Sequence, residues 1–146
     1  MSNRTTATPA SVWLRVLAGT YDALPLLGLW FFAGAIALSL SGGSLESHQQ
    51  LRKLLTQALV LAFTGTYFVV SWTRGGQTIG MRAWRLRVMR TDGRRVTWPR
   101  ALLRFAVALV SLGALGAGFA WALLDAGKRT WHDIAADTRV VRLEKT

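Results

Sequence analysis

Residues 16–40 read VLAGTYDALPLLGLWFFAGAIALSL, a run of 25 residues with one charged side chain, Asp22. As an α-helix this run would be roughly 37 Å long, and the hydrocarbon core of a bilayer is about 30 Å thick. Pro25 and the glycines would weaken a helix in water, but membrane helices tolerate them because small residues let neighbouring backbones approach. The run therefore predicts a first transmembrane helix.

Two further apolar runs are long enough to cross a membrane. Residues 54–72 hold no charge, and residues 101–124 carry only Arg104. Of the 146 residues 51% are hydrophobic, which fits one membrane domain over residues 1–146, all-α with two to three transmembrane helices. The glycines within residues 113–118 allow two alternatives for the third run. It is either an ordinary span or a re-entrant pair of half-helices.

A basic loop over residues 73–100 separates the second and third runs. Apolar and basic side chains alternate in residues 84–90 and again in 94–98, on either side of Asp92-Gly93. Alternation with a period of two indicates strands, and Asp-Gly is a strong signal for a tight hairpin turn. The loop therefore predicts a β-hairpin. In the C-terminal tail, residues 125–146, the stretch 138–143 has strand propensity and could make the sheet three-stranded.

The charge distribution predicts a topology. The net charge is +11, and the segment before the first span, the first loop, the stretch 74–104 and the tail hold two, two, nine and five Lys or Arg. Basic residues concentrate on the cytoplasmic side of membrane proteins. The N-terminus and the hairpin are therefore expected in the cytoplasm. The absence of Cys excludes disulfides, thiol catalysis and cysteine-bound zinc.

Asp22 is the first candidate site residue, because a carboxylate within a span is a functional-site hypothesis by default. Arg15 lies seven residues earlier on the same helix face, and we expect it to point away from Asp22 towards the interface. Arg104 is then the first candidate partner for Asp22. The pair is either an ion-binding site or a structural ion pair that sets helix packing.

Two polar segments outside the spans have functional and structural interpretations. The glycine-rich segment of residues 74–80, which begins with Arg74, either cradles a phosphate or is a turn that leads the chain out of the membrane into the hairpin, and it lacks the Lys-Ser/Thr of a Walker motif. His132 and Asp133 are adjacent, so they do not face one another on a helix and a metal site is not expected. Asp133 is expected to pair with loop arginines or to cap local backbone.

In their order along the chain these motifs resemble the RDD family, which is named for one Arg and two Asp. The resemblance covers roughly residues 12–142. Arg15 and Asp22 match the family's Arg and first Asp in the first span. The later matches are a Gly-x-Thr-x-Gly segment at Gly76, Thr78 and Gly80, the Asp92-Gly93 turn, the Arg-Ala-Leu-Leu-Arg sequence 100–104, and His132-Asp133 before the strand 138–141.

One position departs from the family pattern. Asp137 stands where the family usually has Gly. The resemblance implies a multi-pass protein of the bacterial inner membrane, in a family some of whose members are proposed to exchange cations for protons. No catalytic nucleophile, acid–base pair or cofactor fold is evident, so we expect neither an enzyme nor a cofactor.

Two functions remain open from the sequence. In the first, the protein is a transporter or transporter subunit in which Asp22 binds a cation or proton, with Arg15, Arg104 and Asp133 setting its charge state. Two or three spans cannot enclose a pathway, so this function needs a homo-oligomer or a larger membrane complex. In the alternative, a non-transporting module presents a basic cytoplasmic sheet to anionic lipid or a partner protein. Nucleic-acid binding is not expected.

Overall fold

The computed structural model describes residues 7–42 and 49–144. Most of the loop between the first two apolar runs, including His48, lies outside these residues. The elements in chain order are β1 (Thr8–Pro9), α1 (Val12–Leu40), α2 (Gln49–Arg74), α3 (Ile79–Ala83), β2 (Leu86–Arg90), α4 (Trp98–Gly113), α5 (Ala117–Ala120), a 3₁₀ turn (Trp121–Leu123), α6 (Trp131–Ala135) and β3 (Thr138–Arg142).

The two predicted spans are helical over their full length. Helices α1 and α2 extend beyond the apolar runs, to 29 and 26 residues. In the described part of the chain they are the two single helices long and apolar enough to cross a membrane, and few of their residues are buried inside the protein. Apolar side chains left on the surface of such helices are typical of contact with lipid. The prediction of membrane-spanning helices is therefore confirmed.

The third apolar run is broken, as the re-entrant alternative required. Helix α4 and the pair formed by α5 and the 3₁₀ turn are bent by 108°. The break contains Leu115 and Gly116, which both have positive φ, 55° and 79°. Glycine adopts this conformation without steric cost, so the glycine-rich centre makes the break possible. If the bent pair counts as one span, the described residues hold three.

The described strands form a three-stranded antiparallel sheet with the order β1-β3-β2, in which β1 precedes the first membrane helix. Strand β2 pairs with β3, with Val88 opposite Val140, and β3 pairs on its other edge with β1. The three-stranded sheet is confirmed, but the predicted hairpin is wrong in its second strand. The Asp92-Gly93 turn does form, with Gly93 at φ 83°. After it the chain begins helix α4, where Pro99 occupies the first turn and suits a helix start.

The chain divides into two compact units. The first comprises Met1–Asp22 and Phe68–Thr146, and its core joins the start of α1, the end of α2 and the sheet. Leu86 and Val88 of β2 are almost fully buried in this core. The second unit is Ala23–Tyr67, in which the indole of Trp30 donates a 2.8 Å hydrogen bond to Thr64. All candidate site residues belong to the first unit.

Candidate functional site

Asp22 is held by the Gly-x-Thr-x-Gly segment that follows α2. Its carboxylate is buried, with 3% of the residue exposed. The hydroxyl of Thr78 donates to Oδ2 at 2.6 Å, and the backbone N–H of Gly80 donates to Oδ1 at 2.8 Å. Thr78 also caps helix α3, because its hydroxyl oxygen accepts from the N–H of Met81. The segment therefore links the Asp22 carboxylate of α1 to the start of helix α3 by hydrogen bonds.

Both glycines of this segment are needed for the close approach. Gly76 has φ 69°, and a Cβ there would lie 2.6 Å from the carbonyl oxygen of Val88. A Cβ on Gly80 would overlap the carbonyl oxygen of Ala18 and lie 3.0 Å from the carboxyl carbon of Asp22. Helix α3 can reach α1 only because position 80 has no side chain.

The predicted pair of Asp22 and Arg104 is wrong, because Arg104 binds Asp133. Asp133 also accepts from Arg15, with 2.7 Å between Nη1 and Oδ2. Arg15 therefore points into the protein rather than to the interface as expected. Both arginines turn to Asp133 because it is fully buried, at 0% exposure, and a buried carboxylate needs charged partners. One carboxylate thus joins the first span to helix α4.

Local backbone and hydroxyl groups complete the environment of Asp133. With Thr130 it forms a reciprocal capping box at the start of α6. Arg104 also donates to the hydroxyl of Thr138 at 2.8 Å, and its guanidinium lies 4.8 Å from the ring centre of Trp72. The expectation that Asp133 caps local backbone is confirmed, whereas sequence reasoning missed Thr138 and Trp72 as contacts of Arg104. The pattern Thr130-x-x-Asp133 was a signal for the cap, whereas nothing local pointed to Thr138.

The electrostatics of α6 follow from burial and from the two arginines. Burial alone would raise the pKa of Asp133, but the positive charges of Arg104 and Arg15 outweigh it and hold that pKa well below its ordinary value. Burial, together with the charge of Arg104, lowers the pKa of His132 to about 3. Asp133 is therefore ionised and His132 neutral at pH 7.

The side chain of His132 packs against an aromatic ring. Its ring packs on Phe119 with 5.0 Å between ring centres, and within the described ranges its Nδ1 has no hydrogen-bond partner. No group of three His, Asp or Glu able to hold a metal ion is present among the residues that the structure describes. The contacts of His132 are those of a packed aromatic side chain.

A cavity of about 330 Å³ brings most of the candidate residues together. Five of them line it: Arg15, Asp22, Thr78, Arg104 and His132. Gly76, Gly80 and Asp133 are not among its lining residues. Gly80 and Asp133 instead contact residues that line it, namely Asp22 and Arg104. The remaining wall is mainly apolar and includes Val16, Phe68 and Phe119. The arrangement places charged and polar groups at the edge of an apolar space.

A second concave surface, the arginine groove, encloses about 340 Å³ and includes Gly76 and Gly93 in its lining. Its charged lining consists of four exposed arginines: Arg74, Arg87, Arg94 and Arg95. Over residues 7–42 and 49–144, no acidic side chain lines it. Gly75 and Gly76 form one wall. The sequence placed Arg74 at the start of the glycine-rich segment of residues 74–80, but it did not mark Arg74 as a site residue.

These features define a class of protein, namely a small membrane protein whose buried ion-pair network joins its first span to helices α4 and α6. The chain belongs to the RDD family, whose family model matches residues 9–137. The matched region contains Arg15, Asp22 and Asp133, together with the Gly76–Gly80 segment. Comparison with curated proteins and with solved structures gave no match.

Proposed function

We propose that this protein is a membrane-embedded interaction module that binds the phosphate groups of anionic lipids in its arginine groove. The observation that carries the proposal is the groove itself, in which four arginines line one space without a lining carboxylate among the described residues. Arginine binds phosphate oxygens through paired hydrogen bonds, and this pairing is stronger than a contact between neutral groups.

The position of the groove along the chain suits a lipid headgroup. Arg74 is the last residue of the spanning helix α2, and Trp72, which also lines the groove, lies two residues earlier. Trp is enriched at the level of the lipid headgroups, and basic residues next to a span attract anionic lipid. Each such residue contributes about 1 kcal/mol, so four would raise the affinity for an anionic surface about a thousand-fold.

The orientation proposed with this function is cytoplasmic. If the bent third run returns to the side from which it enters, that side carries every Lys and Arg except the two of the first loop. Such asymmetry favours the cytoplasmic face of a bacterial inner membrane for the groove. The chain has no Cys, so one Cys introduced at the exposed Arg139 reports the side. A membrane-impermeant maleimide should label Arg139→Cys in inverted vesicles and leave it unlabelled in right-side-out vesicles; the reverse pattern would refute the orientation.

A matched pair of four-arginine variants tests the groove. The first replaces the four groove arginines with Gln. The control replaces four other exposed arginines of the same unit, which are Arg82, Arg85, Arg139 and Arg142. Both variants lose the same charge. The measurement is the rise in melting temperature of the purified protein when phosphatidylglycerol, rather than phosphatidylcholine, is added to the detergent.

Anionic lipid should stabilise the wild type, because a ligand that binds only the folded state raises the free energy of unfolding. The groove variant should lose most of that stabilisation, and the control variant should keep most of it. Equal loss in both variants would mean that diffuse charge, rather than the groove, attracts the lipid. No effect on the wild type would also refute the proposal.

Cation–proton exchange through Asp22 is the second candidate, favoured by the position of this carboxylate at the cavity. Two features weigh against it. Both carboxylate oxygens already accept hydrogen bonds from Thr78 and Gly80, and Arg15 and Arg104 line the same cavity, where they would repel a cation. An exchanger of this size also needs a homo-oligomer or a larger complex to enclose a pathway.

Flux measurements separate the two candidates. The protein is reconstituted in liposomes, and cation uptake driven by a pH gradient is compared between wild type, Asp22→Asn and the control Asp92→Asn, which changes an exposed carboxylate. Exchange lost only in Asp22→Asn would support transport at this site. Absence of flux in a folded wild type would leave the interaction module as the function.

A further inference from the structure

The cavity of the first unit contains hydrogen-bond donors that the protein does not use. Nε and Nη2 of Arg15, and Nε of Arg104, are buried without a hydrogen-bond partner in the described ranges. Arg104 and His132 are 3% and 7% exposed, so water does not reach them freely. A buried donor left without a partner is costly, by about as much as a lost hydrogen bond. Such donors beside an open space indicate that a ligand completes them.

The free atoms have the geometry of an oxyanion site. Nη1 of Arg15 binds Asp133, which leaves Nε and Nη2 on the other edge of the same planar group. This edge presents two parallel N–H bonds, which match the two oxygens of a carboxylate. Asp133 is the one acid shared by Arg15 and Arg104, so this group of three side chains keeps one positive charge.

Asp22 is the polar lining residue at the opposite end of the cavity from Arg15. It lies seven residues after Arg15 on α1, about 10 Å along the helix axis. Its oxygens accept from Thr78 and Gly80, so it repels an anion only at that end. The anionic head therefore belongs beside Arg15 and Arg104.

The rest of the cavity wall favours a ligand whose remaining part is apolar. Val12, Val16, Phe68, Trp72 and Phe119 line the cavity, whose volume of about 330 Å³ is at the lower end for small-molecule sites. A small hydrophilic anion would leave this apolar wall uncovered, whereas a hydrocarbon chain would cover it.

We propose that this cavity binds a monoanionic amphiphile of the fatty-acid type. Its carboxylate pairs with the free edge of Arg15 beside Arg104, and its hydrocarbon chain lies against Phe68, Trp72 and Phe119. The site shares Trp72 with the arginine groove but contains none of its four arginines, so it does not depend on lipid phosphate binding there.

The sharpest variant fills the cavity without changing a charge. Gly19 lines the cavity, and a Cβ on it would meet no atom within 4 Å. Gly19→Leu should therefore occupy the space while Arg15, Arg104 and Asp133 stay in place. Gly28 lies on the same helix outside the cavity lining and is equally unobstructed, so Gly28→Leu is the matched control. Melting temperatures establish that both variants are folded.

The probe is radiolabelled decanoate, and its equilibrium binding is measured on the full chain in nanodiscs of zwitterionic lipid after subtraction of empty nanodiscs. Wild type and Gly28→Leu should bind it saturably with similar affinity. Gly19→Leu should bind at least about ten-fold more weakly, which corresponds to the loss of one well-made contact. Unchanged binding in Gly19→Leu, or no saturable binding to the wild type, would overturn the proposal.

Two competing ligands separate the contribution of the carboxylate to binding from that of the hydrocarbon chain. Decanol has the chain without the charge, and acetate has the charge without the chain. Both should compete at least about ten-fold more weakly than unlabelled decanoate. Decanol competing as well as decanoate would remove the role of Arg15, and acetate competing as well would remove the role of the apolar wall.

Discussion

Replacing Asp133 with Asn should destabilise this protein more than any other single change of a carboxylate to an amide. The amide oxygen can still accept from the N–H of Thr130, so the cap of α6 is largely kept. What is lost is the only charge shared by Arg15 and Arg104 in the described contacts. Two guanidinium groups then remain close together with no opposing charge between them.

The expected size follows from burial. Asp133 is fully buried, and the side chain of Arg104 is 4% exposed. Breaking a buried ion pair by removing one partner costs about 3–5 kcal/mol, because the other charge stays desolvated. The side chain of Arg15 is 14% exposed and can regain some water, so its share of the loss is smaller. The whole loss should therefore stay within about 3–5 kcal/mol.

The free energy of unfolding is measured by titrating dodecyl sulfate into the detergent-solubilised protein and following Trp fluorescence. Asp125→Asn is the control, because it breaks an ion pair with Arg129 that lies nearer the surface. In a double-mutant cycle, Arg104→Gln removes one of the two uncompensated charges and should couple to Asp133→Asn by about 1–3 kcal/mol. Equal stability of Asp133→Asn and Asp125→Asn would refute the view that the network joins the spans.

Three further predictions concern single positions. Gly80→Ala should cost about 1–3 kcal/mol, because its methyl group would overlap the carbonyl of Ala18, whereas Gly28→Ala, with open space around it, should be neutral or stabilising in the same titration. His132 has its pKa lowered from 6.5 to about 3, so its neutral form stabilises the fold above pH 6.5 and this contribution is lost as the pH falls towards 3. Lowering the pH from 7.5 to 5 should therefore reduce the free energy of unfolding of the wild type by about 2 kcal/mol. The reduction should be smaller in His132→Gln, and an equal reduction in that variant would contradict the assignment to His132. Asp137 has φ 52°, so Asp137→Gly should melt at a higher temperature than Asp137→Ala, and the opposite order would contradict a backbone cost at this position.

The departure from the family pattern at Asp137 has a physical account. The backbone there adopts the left-handed conformation for which Gly is the usual choice, and Asp tolerates it better than most residues. The side chain also gains contacts that Gly lacks, since it accepts from Thr91 at 2.5 Å and pairs with Arg100 at 3.0 Å. Asp137 therefore combines the left-handed backbone of this turn with side-chain contacts to Thr91 and Arg100.

The spanning helices could be read from the sequence because their cause is local. Residues 16–40 and 54–72 are apolar without interruption, and a backbone in lipid must satisfy its own hydrogen bonds, so such a run becomes a helix whatever lies around it. The break in the third run was also foreseen as one of two alternatives, since the glycines of residues 113–118 permit it. These features depend on consecutive residues and on the solvent around them.

Pairing between distant segments could not be read in the same way. The alternating pattern indicated a strand in residues 84–90, and its predicted partner was the nearest alternating stretch, residues 94–98. In the structure this strand, β2, instead pairs with β3 near the C-terminal end of the described residues. Asp22 and Arg15 were placed on one helix face correctly, but helical geometry does not name the residue that approaches that face. Thr78 and Gly80 reach Asp22, and Asp133 takes both arginines.

The sequence by itself therefore determined that this is a membrane protein, where its apolar helices run, and which charged residues are unusual. Only the tertiary structure decided the partner of each buried charge, the edge that each strand pairs with, and the cavity and groove that result. The physical reason is that burial in lipid depends on the composition of one segment. Ion pairs, strand pairs and concave surfaces instead depend on which distant segments come together, and small differences in packing decide between alternatives of similar local quality.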